Sequence, residues 1–482
     1  MEGDLKTKAA FGVAWMFAQQ VLAQLVSFIV SIVLARILLP EDYGVVALLL
    51  IFINIANVFV TSGLGQALVQ NKDATELDFN TIFIVGSILA WLLYVFLYVM
   101  SPFISEFYNK SILVPVLRVI SLKLPIASIN SIQNAYISRR LQFKKLFLPT
   151  LIGTSFSGVV GIVMALLDFG VWALVAQYLL NSIISTIFLF MTIDWRPRFQ
   201  FSYNSAKKHL GFGIKLTASS LINVTYLELQ SLAIGKFYTS SDLGLFKRGY
   251  QFPALVVNNI NSSISSVMFP TFSKVSHDIN RLKLMTQRTM SITSFIITPI
   301  MLGMIAVAKQ LVLVVLTDKW IGCVFFLQTA CLIYMLLPIQ TANCQAILAM
   351  GRSDVYLKQE VLKKTFGVTA LIFALQKGIN AIAISAVIAV IFSAIVSIYP
   401  NKHLLNYSLK EQLQDLFPSY AISVIMFICV YCVGHYNCHS FILLCIQMFV
   451  GFCVYIGLSY LFKVNSLLYL TDFFKRHKGT FS

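Results

Sequence analysis

Residues 35–44 read Ala-Arg-Ile-Leu-Leu-Pro-Glu-Asp-Tyr-Gly, and residues 235–244 read Gly-Lys-Phe-Tyr-Thr-Ser-Ser-Asp-Leu-Gly. In both, a polar turn ends one apolar stretch and opens the next. A basic residue (Arg36, Lys236) stands six before an aspartate (Asp42, Asp242), and Gly44 or Gly244 closes the turn. A second pair repeats further along the chain. Leu124-Pro125-Ile126, with Asn130 and Arg139, returns as Leu337-Pro338-Ile339 with Asn343 and Arg352. Two internal echoes in one apolar chain imply a duplicated membrane architecture of the kind that moves material between its halves.

Composition fixes the class. The 482 residues are 58% hydrophobic and 11% charged, with a mean hydropathy of +0.82; soluble domains carry about 25% charged residues. Fourteen apolar stretches are near 10–34, 43–62, 82–104, 112–136, 146–167, 170–193, 210–234, 243–268, 289–316, 323–349, 361–377, 379–399, 417–434 and 440–462. Each approaches the roughly 20 residues that a bilayer crossing needs. Backbone groups in lipid must be satisfied internally, so helices are predicted throughout. The first stretch is too long for a cleavable signal and is expected to stay as the first span.

The net charge of +17 points to topology rather than nucleic acid. With the N-terminus inside, 25 of the 36 Lys and Arg fall on cytoplasmic segments, among them Arg139, Arg140, Lys144, Lys145, Arg196, Arg198, Lys207, Lys208, Lys475, Arg476 and Lys478. Eight lie at external turns or helix ends and three within spans. This positive-inside bias, with an even span count, sets both termini in the cytoplasm. No folded basic surface remains for DNA.

The echoes set the repeat unit at six helices. The expected architecture is an all-α integral membrane protein of about 14 transmembrane helices. It has two parallel six-helix lobes, 1–194 and 210–400, joined by a cytoplasmic linker at 195–209. Two extra C-terminal helices and a cytoplasmic tail fill 401–482. Six is even, so the lobes share an orientation. Polar residues recur as well. The first span carries Gln20, Gln24, Ser27 and Ser31 at steps of four, three and four, which is one helical face. The seventh carries Ser219, Asn223, Tyr226 and Gln230 at the same steps. Asn54, Asn57 and Thr61 add to the second span, and Gln251, Asn258, Asn261 and Ser265 to the eighth. Interhelical hydrogen bonding accounts for any one of these; matched stripes in both halves favour a shared hydrated cavity.

Charges inside the spans are the candidate binding groups. Arg118, Lys123, Lys215 and Glu228 each cost roughly 2.5–3.5 kcal/mol near the bilayer centre, so a cavity or a partner is expected at each. Lys123 shares a face with Asn130 and Asn134, whereas Arg118 points about 140° away from it. Lys215 and Glu228, about 20 Å apart on one helix, cannot pair with each other. Lys247 and Arg248 open the eighth span, and snorkelling at the interface explains them and Lys215 equally well. The excess of cations suits an anionic, phosphate-bearing substrate. Pro125 and Pro338 are predicted to interrupt helices beside these polar faces. Most of the cysteines fall within spans as small apolar filler. Cys432, His435, Cys438 and His439 have metal-ligand spacing, but a plain external hairpin is the preferred reading. No Gly-rich nucleotide loop and no cofactor motif is present.

Several of these segments resemble a known family. Leu34 through Gly44, Ser62-Gly-Leu-Gly-Gln-Ala-Leu-Val-Gln70, Phe79-Asn-Thr81, Arg140-Leu-Gln-Phe-Lys144, Trp195-Arg-Pro-Arg-Phe199, Ile234-Gly-Lys236 with Leu243-Gly244, Phe269-Pro270 and Gly351-Arg352-Ser-Asp354 are similar to motifs of polysaccharide transporters. These belong to the multidrug/oligosaccharidyl-lipid/polysaccharide flippase superfamily, in its O-antigen and colanic-acid exporter branch. The resemblance implies a non-enzymatic flippase of the bacterial inner membrane. It would move an undecaprenyl-diphosphate-linked oligosaccharide to the periplasmic leaflet by alternating access, for O-antigen, capsule or exopolysaccharide synthesis. Its implied partners are membrane lipids, a polysaccharide polymerase and chain-length proteins. Relatives often carry an aspartate in the seventh span where this chain has Glu228. A peptidoglycan-precursor flippase and an ion-coupled multidrug exporter share the expected fold; the basic balance argues against the exporter. A multispan polymerase or acyltransferase would need a large external loop or an intramembrane histidine–acid pair, and the sequence offers neither.

Overall fold

The computed structural model describes residues 22–469 apart from 62, 71–73, 141, 437, 438 and 468. The start of the first apolar stretch, Gln20, Ser62, Cys438 and the cluster Lys475, Arg476 and Lys478 lie outside the described residues. Within them every regular element is helical. Ten helical segments are long and apolar enough to cross a bilayer, and the described part of the first stretch, α1 (Leu22–Ile37), is a shorter apolar helix. Each of the other thirteen predicted stretches is also helical. Not among the ten are α9 (Tyr203–Phe237), α10 (Ser240–Lys274) and α15 (Ser353–Ala374). Amides and charges dilute their apolar windows.

The repeated turn has a local cause. Asp42 is the third residue of α2 (Pro40–Thr61), and its carboxylate accepts from the Leu39 backbone N–H at 3.0 Å. Asp242 holds the same place in α10 and accepts from the Thr239 N–H at 3.1 Å, while Thr239 Oγ1 accepts in return from Asp242 N–H. Both aspartates therefore cap a helix start, one of them through a complete capping box. Gly44 and Gly244 lie inside those helices rather than closing the turns.

The two prolines mark helix breaks at matching places. The helix α5 (Leu113–Ile120) stops, two residues turn, and α6 (Lys123–Arg140) begins with Pro125 in its first turn. Likewise α13 (Val324–Met335) stops and α14 (Leu337–Ala349) begins with Pro338. A first-turn proline has no intrahelical N–H bond to lose, which explains why each proline starts a helix at the break.

By internal packing the chain forms two compact units, Met1–Gly244 and Leu245–Ser482. In the first, α9 packs against α2, α3 (Leu64–Gln70) and α4 (Glu76–Tyr108). The seventh span thus sits with the helices that precede the linker. One end of this unit holds an aromatic core of Phe79, Tyr136 and Trp195, with Leu68, Ile82, Ile132 and Leu189. The second unit has two cores. One lies around Phe272, Met290, Ile339, Tyr407 and Leu416, the other around Phe295, Ile422, Met426 and Tyr455.

Candidate functional site

The break before α6 decides the site. Counting from Leu113, eight helical and two turn residues bring the chain roughly 15 Å into the apolar segment Leu113–Arg140. Lys123 begins α6 at that depth. From it one face of α6 runs through Ala127, Asn130, Ser131, Asn134 and Ser138, and this face lines a cavity of about 380 Å³. The opposite wall is Thr61 from the end of α2, with Gly65, Gln66 and Val69. Ser182 contributes from α8 (Val171–Thr192). The cavity follows α6 for roughly 22 Å, toward the end that carries Arg139 and Arg140.

The polar atoms are held in place by neighbours. The Thr186 hydroxyl lies 2.6 Å from the Ser182 carbonyl oxygen and 3.0 Å from the Asn130 side-chain amide, which ties Asn130 to α8. The Lys123 ammonium lies 5.5 Å from the centroid of the Tyr178 ring, a cation–π distance that steadies a charge in a dry setting. Gly65 permits the approach of α3: a Cβ there would meet Ser131 Oγ at 2.8 Å. The sole charged group among the described lining residues is Lys123, and the rest of the polar wall is amide and hydroxyl. Such a wall hydrogen-bonds neutral polyols, and one ammonium at its inner end attracts an anion.

Of the ten residues singled out from the sequence, the cavity brings together Lys123, Asn130 and Asn134. Arg118 is engaged elsewhere: its Nε donates to Ser101 Oγ at 3.0 Å, and its guanidinium stacks 4.2 Å from the Tyr98 ring centroid. Glu228, on α9, accepts from Asn54 Nδ2 of α2 at 3.1 Å. Lys215 and Asn223 are exposed on α9, and Gln24 is half-buried on α1. Lys247 is half-buried on α10. Arg248 is buried at 3% exposure in the second unit. It donates to Gln251 Oε1 at 2.7 Å and lies 5.7 Å from the ring centroids of Phe252 and Trp320. This environment is protein interior, not the interface that snorkelling would give.

Sequence reasoning missed Gln66, Ser131, Ser138 and Ser182. Ser131 and Ser138 continue the helical stripe of Asn130 and Asn134, so their spacing was a usable signal; Ser182, on a distant helix, gave none. Cys432 is exposed, and no cluster of three potential metal ligands occurs among the described residues.

Comparison with known proteins follows the same architecture. The chain is 24% identical over 439 residues to lipopolysaccharide biosynthesis protein WzxC of Escherichia coli K12, covering 89% of this chain and 88% of that one. It is 28% identical over 373 residues to teichuronic acid biosynthesis protein TuaB of Bacillus subtilis 168, covering 76% and 75%. Its fold is similar to that of the lipid II flippase MurJ in an inward-closed conformation. The TM-score is 0.76 at 16% identity, over 94% of this chain and 98% of that one. A model of the polysaccharide biosynthesis protein family matches residues 33–325. That match spans the first repeated turn, the break and cavity face of α6 and the start of α13, and on it the chain belongs to the polysaccharide biosynthesis protein family.

Proposed function

We propose that this chain is a flippase for undecaprenyl-diphosphate-linked oligosaccharide repeat units, working in the bacterial inner membrane during surface polysaccharide synthesis. The carrying observation is the α6 cavity: an amide and hydroxyl wall with one ammonium, Lys123, at one end. Sugars hydrogen-bond along the wall, the diphosphate meets Lys123, and the lipid tail stays in the bilayer. The relatives named for lipopolysaccharide and teichuronic acid biosynthesis, and a third named as a succinoglycan biosynthesis transport protein, support this substrate class.

Orientation follows from the charge census. With both termini cytoplasmic, the Arg139–Arg140 end of the cavity faces the cytoplasm, where such substrates are assembled. The repeat pattern supports two six-helix lobes, 1–194 and 210–400, exchanging access to the two leaflets, with 401–482 as an appendage. The chain carries no nucleotide loop, so direction comes from an ion gradient or from consumption of the flipped product.

The test is Lys123→Ala in a strain lacking its own copy, with surface polysaccharide measured against protein amount. Export falls at least tenfold at normal amounts, and Lys123→Arg restores part of it. Full export by Lys123→Ala would overturn the assignment.

A further inference from the structure

The linker between the repeats is not a slack tether. After α8 the chain runs without helix from 193 to 202, and α4 holds it through the backbone of Arg198 and Ser202 and the side chain of Gln200. The backbone N–H of Arg198 donates to Asn80 Oδ1 at 3.1 Å, Asn80 Nδ2 donates to Gln200 Oε1 at 3.3 Å, and the Ser202 N–H donates to Thr81 Oγ1 at 3.1 Å. Trp195 anchors the near end among Phe79, Phe83 and Tyr136. Between these ties the Gln200 N–H donates to the Arg198 carbonyl at 2.8 Å in a tight turn, and three aromatic side chains of the segment face outward. Those are Phe199, Phe201 and Tyr203, which are 98%, 55% and 72% exposed. Around them Arg196, Arg198, Lys207 and Lys208 are exposed as well. Asp194 is the acid in this stretch, and it is already engaged by Lys145 at 3.0 Å, which holds its carboxyl below the usual range.

Three outward aromatics set among four cations have no reason to face water. The headgroup layer is the setting that accepts both, since rings sit at the level of the headgroups and cations pair with anionic phosphates. Helix length puts the segment there. α8 has 22 residues, about 33 Å, which matches the hydrocarbon core. The segment begins within three residues of its end.

We propose that residues 195–208 form an interfacial strap that binds the anionic phospholipid surface of the membrane in which the protein sits. Phe199, Phe201 and Tyr203 enter the headgroup layer, and Arg196, Arg198, Lys207 and Lys208 pair with lipid phosphates. The strap is distinct from the α6 cavity and does not depend on what the cavity carries.

Hydrogen–deuterium exchange of the full-length protein tests this, in nanodiscs of phosphatidylcholine alone or with added phosphatidylglycerol. Exchange across 195–203 slows about tenfold in the anionic discs, and high salt removes the difference. The variant Phe199→Ser/Phe201→Ser removes the protection while exchange elsewhere is unchanged. Independently, a Phe199→Trp variant gains emission that brominated phosphatidylglycerol quenches more strongly than brominated phosphatidylcholine. Equal exchange in both lipid mixtures overturns the proposal. So does protection that appears only in native membranes containing other proteins, an outcome that assigns the face to a protein partner.

Discussion

Gly44 and Gly244 each lie against the other's helix start. A Cβ on Gly44 would stand 1.7 Å from the Ser240 carbonyl oxygen, and one on Gly244 would stand 2.0 Å from that of Pro40. The two copies of the repeated turn thus pack backbone on backbone. Lys110 adds a bond from its ammonium to Ser240 Oγ. No side chain at either glycine could give way, because the opposing atoms are main chain. Replacing either by Ala forces the helix starts apart and costs about 1–3 kcal/mol or more. The expected result is a lower thermal midpoint and less protein in the membrane for each variant. Gly457→Ala is the control, since nothing lies within 4 Å of a Cβ there.

Arg118 is braced by its neighbours. Ser101, which accepts its Nε bond, is fully buried, and Tyr98 stacks on its guanidinium. Arg118→Lys keeps the charge but loses the fixed fork and the stacked plane, at a cost of about 1–3 kcal/mol. Protein amount falls while export per molecule holds. Surface polysaccharide normalised to immunoblotted protein checks this; a drop at unchanged amount would put Arg118 in the transport chemistry.

Asn80 holds the linker. It is 1% exposed and bonded to both Arg198 and Gln200. Asn80→Ala leaves the Arg198 N–H without its acceptor and loosens the segment by about 1–3 kcal/mol. Trypsin then cuts after Arg198 faster than in the parent, and the protein stays folded by size-exclusion profile.

Arg352 and Asp354 form an exposed pair, with Nε to Oδ1 and Nη2 to Oδ2 both at 3.0 Å. The arginine holds the Asp354 carboxyl down at about 2, below its ordinary 3.8. A lowered carboxylate pKa gives a contribution present above 3.8 and lost as the pH falls through about 2. The pair is therefore intact at every physiological pH. Carboxyl-carbon NMR of labelled Asp should find this midpoint, and Arg352→Gln should raise it toward the ordinary value, the backbone bonds of the helix start still holding it down.

Much of the membrane architecture was legible because helical periodicity and apolar length survive in one dimension. The α6 stripe of Asn130 and Asn134 was found this way, and so were the breaks at Pro125 and Pro338. Partners contributed by other helices were not legible. Nothing local to Arg118 announces Ser101 and Tyr98, so a braced arginine and a cavity cation read alike. Arg248 looked interfacial because Lys247 precedes it, and only the fold places it beneath Trp320. Asp42 and Asp242 read as turn markers although a capping role was written in their spacing: each stands three after the residue it caps.

The two copies also differ in length. The repeated turn recurs at a spacing of 200 residues, from Arg36 to Lys236, while the proline break recurs at 213, from Pro125 to Pro338. The thirteen-residue difference lies between two elements. Residues 109–112 join α4 to α5, whereas 307–323 separate α11 (Ile279–Ala306) from α13 and form a short helix, Ala308–Val315, and a 3-10 turn. The proline break thus keeps its place in both copies while the connection that precedes it differs in length.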